Sequence, residues 1–181
     1  MQKQPNKEVK LRPFASPLDM KKFLDHSLGD YAQAMFDAGE YPTLERASQA
    51  SYEEVFSFYN TPRPEKVHYP CYIDVVTATE TVEVGVTEMV SLLRSGQLVA
   101  FVNQIWIYPP YRSLGYAAQA MLRLEELARA QKLFTLELNV LIHRVNAQRL
   151  YQKLGYTVTR RWKGGYATHM TRIDMRKTLT K

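Results

Sequence analysis

The chain has 181 residues, 45% of them hydrophobic, and its 24 Lys and Arg against 18 Asp and Glu give a formal net charge of +6. That length and apolar content suit one domain with a sizeable core, while the polar start Met1–Lys10 and the absence of any apolar run near the roughly 20 residues needed to span a bilayer argue against a secreted or membrane-spanning chain. The lone Cys71 excludes an intrachain disulfide and reads as a small core residue of a reducing, cytoplasmic compartment, and four scattered histidines lack metal-ligand spacing, so no metal is predicted.

Residues 1–8 read as a polar lead and residues 9–181 as the domain. Val9–Phe14 predicts a first strand. Pro17 and Asp19 open a helix that runs to about Ala38 and stops at Gly39, and a second helix spans roughly Thr43–Tyr59 before Pro62 and Pro64. Tyr72–Thr77 and Thr81–Met89 are β-branched runs that predict a hairpin; Val90–Leu93 then turns at Ser95-Gly96 into the long uncharged strand Gln97–Tyr108. Beyond Pro109-Pro110 the period becomes helical, with Ala117, Met121, Leu124 and Ala128 on one face. A strand Phe134–Leu141, a helix Val145–Leu154 stopped by Gly155, and a terminal pair Tyr156–Trp162 and His169–Lys177 complete the order β α α β β β α β α β β, a mixed α/β single domain.

Chemistry is concentrated first at the turn Arg112-Ser113-Leu114-Gly115-Tyr116-Ala117, between the long strand and the amphipathic helix. The first turn of a helix presents backbone N–H groups without intrahelical partners and the positive end of the macrodipole, so it can hold a pyrophosphate. Gly115 and Ala117 let phosphate oxygens approach those amides, and Arg112 can add a charge-assisted hydrogen bond. A second segment follows: Leu138-Asn139-Val140, then Asn146-Ala147-Gln148-Arg149-Leu150-Tyr151-Gln152-Lys153-Leu154-Gly155-Tyr156.

These two segments together resemble the GNAT superfamily of acetyl-CoA-dependent acyltransferases, which shows R/Q-x-x-G-x-G/A after its fourth strand and then a fifth strand and a helix of the form A-x-x-L-Y-E-K-L-G-F. Gln152 stands here for the Glu and Tyr156 for the Phe, and the likeness extends over nearly the whole chain. The resemblance implies a mostly antiparallel sheet flanked by helices, with strands four and five splayed so that the pantetheine arm of acetyl-CoA lies between them like an added strand. It assigns Ile107, Tyr108 and Pro109 to the arm near the thioester, the turn Arg112–Ala117 to the pyrophosphate, Lys153 to the cofactor's negative charge, and Tyr151 to protonating the leaving thiolate. The implied function is N-acetylation of a primary amine on a small molecule or peptide, by direct attack without a covalent enzyme intermediate.

Three departures from the family pattern bear on mechanism. The position seven residues before Tyr151, often Asn in the family, is Arg144; Asn146 either substitutes for it toward the pantetheine or caps the helix. No Asp, Glu or His stands in the long strand, and Asn139 occupies the other usual place of a general base. Glu137 shares the strand face of Asn139 and is the candidate to relay a proton through water, against the plainer reading of an exposed strand carboxylate. Residues 141–181 hold ten Lys or Arg against one acid, Asp174, a balance of +9 that leaves −3 for the preceding 140 residues. The basic residues of the two last strands alternate between faces, so this charge is assigned mainly to the cofactor and a nucleic-acid partner is disfavoured. Two other functions stay open at this level: a CoA-binding sensor or partner module with little turnover, and an acyltransferase acting on an amine carried by nucleic acid. The sequence leaves a homodimer open as well.

Overall fold

Alternating and β-branched runs fold as strands Glu8–Pro13 (β1), His68–Val76 (β2), Thr81–Arg94 (β3), Gln97–Ile107 (β4), Thr135–Leu141 (β5), Thr157–Trp162 (β6) and Arg172–Thr178 (β7). The segments of helical period form Pro17–Asp37 (α1), Leu44–Asn60 (α2), Tyr116–Ala130 (α3) and Val145–Lys153 (α4), with a single 3-10 turn at Pro109–Tyr111. The computed structural model describes residues 7–180. Of the polar lead, only Lys7 and Glu8 lie within them, and Glu8 already belongs to β1.

The strands make one sheet in the order β1-β2-β3-β4-β5-β7-β6. All pairings are antiparallel except β4 with β5, which run parallel. Placing β7 between β5 and β6 sets the C-terminal strand inside the sheet. On one face α3 and α4 cover an apolar core in which Met121 and Leu124 meet Leu136, Leu138, Tyr151, Ile173 and Met175. On the other face Phe23 of α1 packs with Tyr72 and Val86, and Phe58 of α2 packs against Val90, Leu92, Val99 and Phe101.

Strand β2 begins at His68, four residues before the sequence expectation. Pro70 would be unwelcome in a central strand, but it lies beyond the last β1–β2 pair, Pro13 with Cys71, and its missing N–H faces the β1 side, where its carbonyl accepts from the Phe14 N–H. Strand β3 runs unbroken through Val90–Leu93, and β7 starts at Arg172 and not at His169. The α1–α2 connection is fastened to the β6–β7 loop by a buried pair: Glu40 is fully buried and accepts from Arg172 Nε at 2.8 Å and Nη2 at 2.6 Å and from Thr171 Oγ1 at 2.7 Å. Gly164 lies so close to this carboxylate that a Cβ there would collide with it. No helix among the described residues is long and apolar enough to cross a membrane.

Candidate active site

A gap opens in the middle of the sheet because β4 and β5 pair over only three positions, Ala100 with Leu136, Phe101 with Glu137 and Val102 with Leu138. Beyond Val102 the strands part. A bulge adds one residue to β4 at this level: Glu88 of β3 faces Gln104 and Met89 faces Val102, leaving Asn103 unpaired. Such a bulge bends its strand and re-aims the side chains that follow. The backbone of β4 from Asn103 onward therefore borders a slot on the β5 side, shaped to accept an extended arm as an added strand.

The turn expected to bind phosphate stands at the mouth of this slot. Gly115 is the N-cap of α3 in a left-handed conformation (φ +83°), and a Cβ there would meet nothing within 4 Å, so the space over the helix start is open. No side chain caps α3 and no acid lies in its first turn; the first backbone bond closing the helix is from Gln119 N–H to the Gly115 carbonyl. The preceding amides are thus left for an anion. By contrast Asp19 caps α1, accepting from the Ala15 and Ser16 N–H groups, and Thr43 caps α2. This donor set fits a pyrophosphate.

Arg112 is at the turn, but its Nε donates to the Ile107 carbonyl at 2.9 Å and its Nη2 lies 3.5 Å from Asp30, so it braces the turn against β4 and α1. Ser113 also has positive φ (61°), and Leu114 is exposed. Tyr116 turns its ring into the core beside Ala120, which leaves its backbone for the helix start, and Ala117 follows at the next position of the first turn. Ile107 packs inward toward the same cluster; Tyr108 donates from its hydroxyl to Glu83 at 2.6 Å, and Pro109 begins the 3-10 turn.

Tyr151 is brought to the same face by α4. Its ring is 7% exposed within the α3/α4 core, its hydroxyl has no hydrogen-bond partner among the described residues, and burial pushes that hydroxyl up to about 12. It is therefore protonated at neutral pH and can donate. Asn146 is exposed at the second residue of α4, whose N-cap is Arg144. The capping reading of Asn146 is thus corrected: the chain enters the helix two residues earlier, because Gln148 donates to the Ile142 carbonyl at 2.6 Å and closes the connection from β5. Lys153 is exposed in the last turn of α4, where it also complements the helix dipole.

Glu137 is not the exposed strand carboxylate that the plainer sequence reading expects. It is 8% exposed, and Oε1 accepts from Arg176 Nε at 2.8 Å and Nη2 at 2.5 Å while Oε2 lies 3.4 Å from Arg94. The insertion of β7 beside β5 puts Arg176 opposite it, a pairing that sequence distance conceals. The basic C-terminal quarter is in part consumed in this way: Arg172 pairs with Glu40, Arg176 with Glu137 and Lys177 with Glu125. Sequence reasoning also missed Glu88, fully buried on β3 next to the bulge; its early signal was a carboxylate on the same strand face as Val86, Val90 and Leu92.

Comparison with known proteins bears on the family and the fold. The sequence profile described as the Acetyltransferase (GNAT) family matches residues 35–156. A Bacillus subtilis protein called uncharacterized N-acetyltransferase YycN is 38% identical over 63 residues, 35% of this chain and 40% of that protein, so the aligned segment spans less than half of the relative. The crystal structure of YycN superposes with a TM-score of 0.71 at 27% identity, covering 84% of this chain and 94% of the other. A spermidine N-acetyltransferase from Vibrio cholerae, solved with CoA and spermine, has a TM-score of 0.58 at 16% identity over 94% of this chain and 95% of its own, a likeness of fold.

Proposed function

We propose, from the premise that this chain belongs to the GNAT acetyltransferase family, that it transfers an acetyl group from acetyl-CoA to a primary amine of a small molecule or peptide by direct attack. The observation that carries this reading is the slot between β4 and β5 with an uncapped helix start at its mouth. The pyrophosphate would take the amides from Gly115 to Ala117, with Ser113 and Leu114 shaping the turn and Arg112 bracing it. The pantetheine arm would run along the backbone of Ile107, Tyr108 and Pro109, with Asn146 on the facing side and Lys153 adding positive potential. The Tyr151 hydroxyl would donate its proton to the departing thiolate.

The acceptor would approach from the α1/α2 side. Asp30 and Glu54 stand there about half exposed, the first accepting from Trp106 Nε1 at 2.5 Å beside Arg112 and the second from the Tyr31 hydroxyl at 2.7 Å beside Arg172, and they offer hydrogen-bond acceptors to an amine. Glu137 is held by two guanidinium groups, so we assign it to fixing β5 against β7 below the slot in preference to carrying protons. The internal pairing of Arg172, Arg176 and Lys177 supports a small or peptidic acceptor over nucleic acid.

The test is ligand-dependent stability. At a hundredfold excess over Kd, acetyl-CoA should add about 2.7 kcal/mol, or a rise of roughly 5–10 °C in melting temperature. Gly115→Ala introduces only backbone strain, whereas Gly115→Glu also puts a carboxylate over the free amides; the alanine variant should keep most of the shift and the glutamate variant lose it. A glutamate variant with the full shift removes the phosphate assignment. CoA release with n-butylamine, spermidine and an alanine tetrapeptide then measures transfer.

A further inference from the structure

Glu88 is a carboxylate with 0% exposure and, among the described residues, no Lys or Arg partner, in a strand whose neighbouring inward side chains are apolar. Burying a charge is costly unless hydrogen bonds and an opposite charge compensate it. Three groups reach it: the Tyr59 hydroxyl at 2.5 Å and Asn103 Nδ2 at 2.6 Å on Oε2, and His68 Nδ1 at 2.8 Å on Oε1. A carboxylate only accepts, so it fixes the His68 tautomer with the proton on Nδ1 and leaves Nε2 as an acceptor. The imidazole is stacked on Tyr59 at 4.9 Å, edge-on to Phe58 at 5.7 Å, and 24% exposed.

The place of this cluster gives it meaning. Asn103 is the bulge residue, the first of β4 beyond the last pair with β5, and Glu88 faces Gln104 beside it. Of the three contacts, Tyr59 can pass a proton inward, because its hydroxyl donates to Oε2 and can accept from a water, while the Nδ1 proton of His68 holds Oε1 in place. Tyr59 and Trp106 pack against the same cluster toward the C-terminal end of β4, where the slot is open, while His68 reaches solvent at the start of β2. The titratable groups that face Glu88 are Tyr59 from α2, His68 and Cys71 from β2 and, farther off, Lys66 before β2; Asn103 is the neutral contact from β4. Burial and the Glu88 charge hold the Tyr59 hydroxyl well above its ordinary range, so it passes protons as a neutral hydroxyl.

We propose that Glu88 is the proton sink of the transfer reaction: a proton shed by the acceptor crosses a water and the Tyr59 hydroxyl to the Glu88 carboxylate, which the Nδ1 proton of His68 holds in place, and returns to solvent by the same path once the product has left. This rests on the acetyl-transfer reading above. The balance is simple. Attack forms the N–C bond and breaks the C–S bond, and an ammonium acceptor gives up two protons in all. One replaces the proton that Tyr151 hands to sulfur, and the other is the one that Glu88 takes up while His68 holds it in place. Both act through intervening groups, so they are relay and positioning residues.

The test compares Glu88→Gln, Tyr59→Phe and His68→Gly with the wild-type chain on the same three amines, following CoA release against pH. Glu88→Gln should lower kcat about 10²-fold and abolish the acid limb of kcat/KM while leaving the acetyl-CoA thermal shift intact. His68→Gly should lower kcat less and regain activity with added imidazole. Should Glu88→Gln not fold, the tyrosine and histidine variants carry the same readouts. An unchanged acid limb with no imidazole rescue makes the cluster structural and overturns the proposal. Absence of wild-type turnover on all three amines overturns it together with acetyl transfer, while a thermal shift that persists still leaves acetyl-CoA binding standing.

Discussion

The two faces of the sheet bury their side chains by different physics. Under α3 and α4, Met121, Leu124, Leu136, Leu138 and Met175 are buried together, and charge enters only at the margin, where Lys177 meets Glu125 at 2.7 Å. Under α1 and α2 the buried set includes Glu40, Glu88, Glu137 and Arg172. The helix starts are reversed: α1 and α2 are capped by their own side chains, whereas α3 is left open. The apolar face thus supplies a packed platform that carries the uncapped start of α3, and the charged face supplies specific polar positions.

The sharpest way to break this comparison is to orphan a buried charge. Glu40→Ala leaves buried Arg172 with Glu54 alone, at 3.5 Å, and should cost about 3–5 kcal/mol of unfolding free energy in denaturant titration. Combining Glu40→Met with Arg172→Leu should recover most of that loss, since an apolar pair needs no counter-charge. On the other face Leu136→Ala, at 0% exposure, should cost about 2–5 kcal/mol through a cavity, and no single partner change should rescue it. If the double variant stays as unstable as Glu40→Ala, the α1–α2 connection depends on polar specificity and not on charge balance.

A smaller effect separates chemistry from packing. Tyr151→Phe keeps the buried ring and should leave the melting temperature unchanged, while kcat falls about 10²-fold where chemistry limits turnover. Because the hydroxyl is pushed up to about 12 by burial, this variant should not alter the acid limb of the pH profile, in contrast to Glu88→Gln. A shifted acid limb in Tyr151→Phe would merge the two roles.

The smallest effect concerns a helix cap. Asp19 has a lowered pKa, first through the Tyr72 hydroxyl and then through the Ala15 N–H. A carboxylate lowered in the folded state contributes stability that is present above its unfolded pKa and lost as pH falls through the folded one. Amide exchange in the first turns of α1 should therefore quicken below the ordinary carboxylate range, and Asp19→Asn should flatten that dependence. The start of α3, which has no such cap, should show no matching acid transition.

Local patterns were enough to read most of the secondary structure. Gly39 and Gly115 hold the left-handed conformations their places require, the helical period of α3 buries Met121 and Leu124, and the long uncharged strand became β4. The phosphate turn was legible because a helix start is chemistry written in consecutive residues. The start of α4 at Val145 was read from the sequence, whereas β2 begins four residues before its expected start, where Pro70 misleads rules that see only neighbours.

What the sequence by itself determined is therefore the local part: the elements, the single strand thiol Cys71 buried as expected, and the two motifs that bring an open helix start and Tyr151 into one domain. Tertiary structure alone decided which charges meet. Glu137 with Arg176, Glu40 with Arg172 and Glu88 with His68 and Tyr59 join residues 39, 132, 20 and 29 positions apart. Their contacts depend on β7 inserting beside β5, on the bulge at Asn103 and on how α1 and α2 cross the sheet. A carboxylate in a strand carries no mark of its partner, because strand order and register, which set that partner, are fixed by the burial of all the other side chains at once.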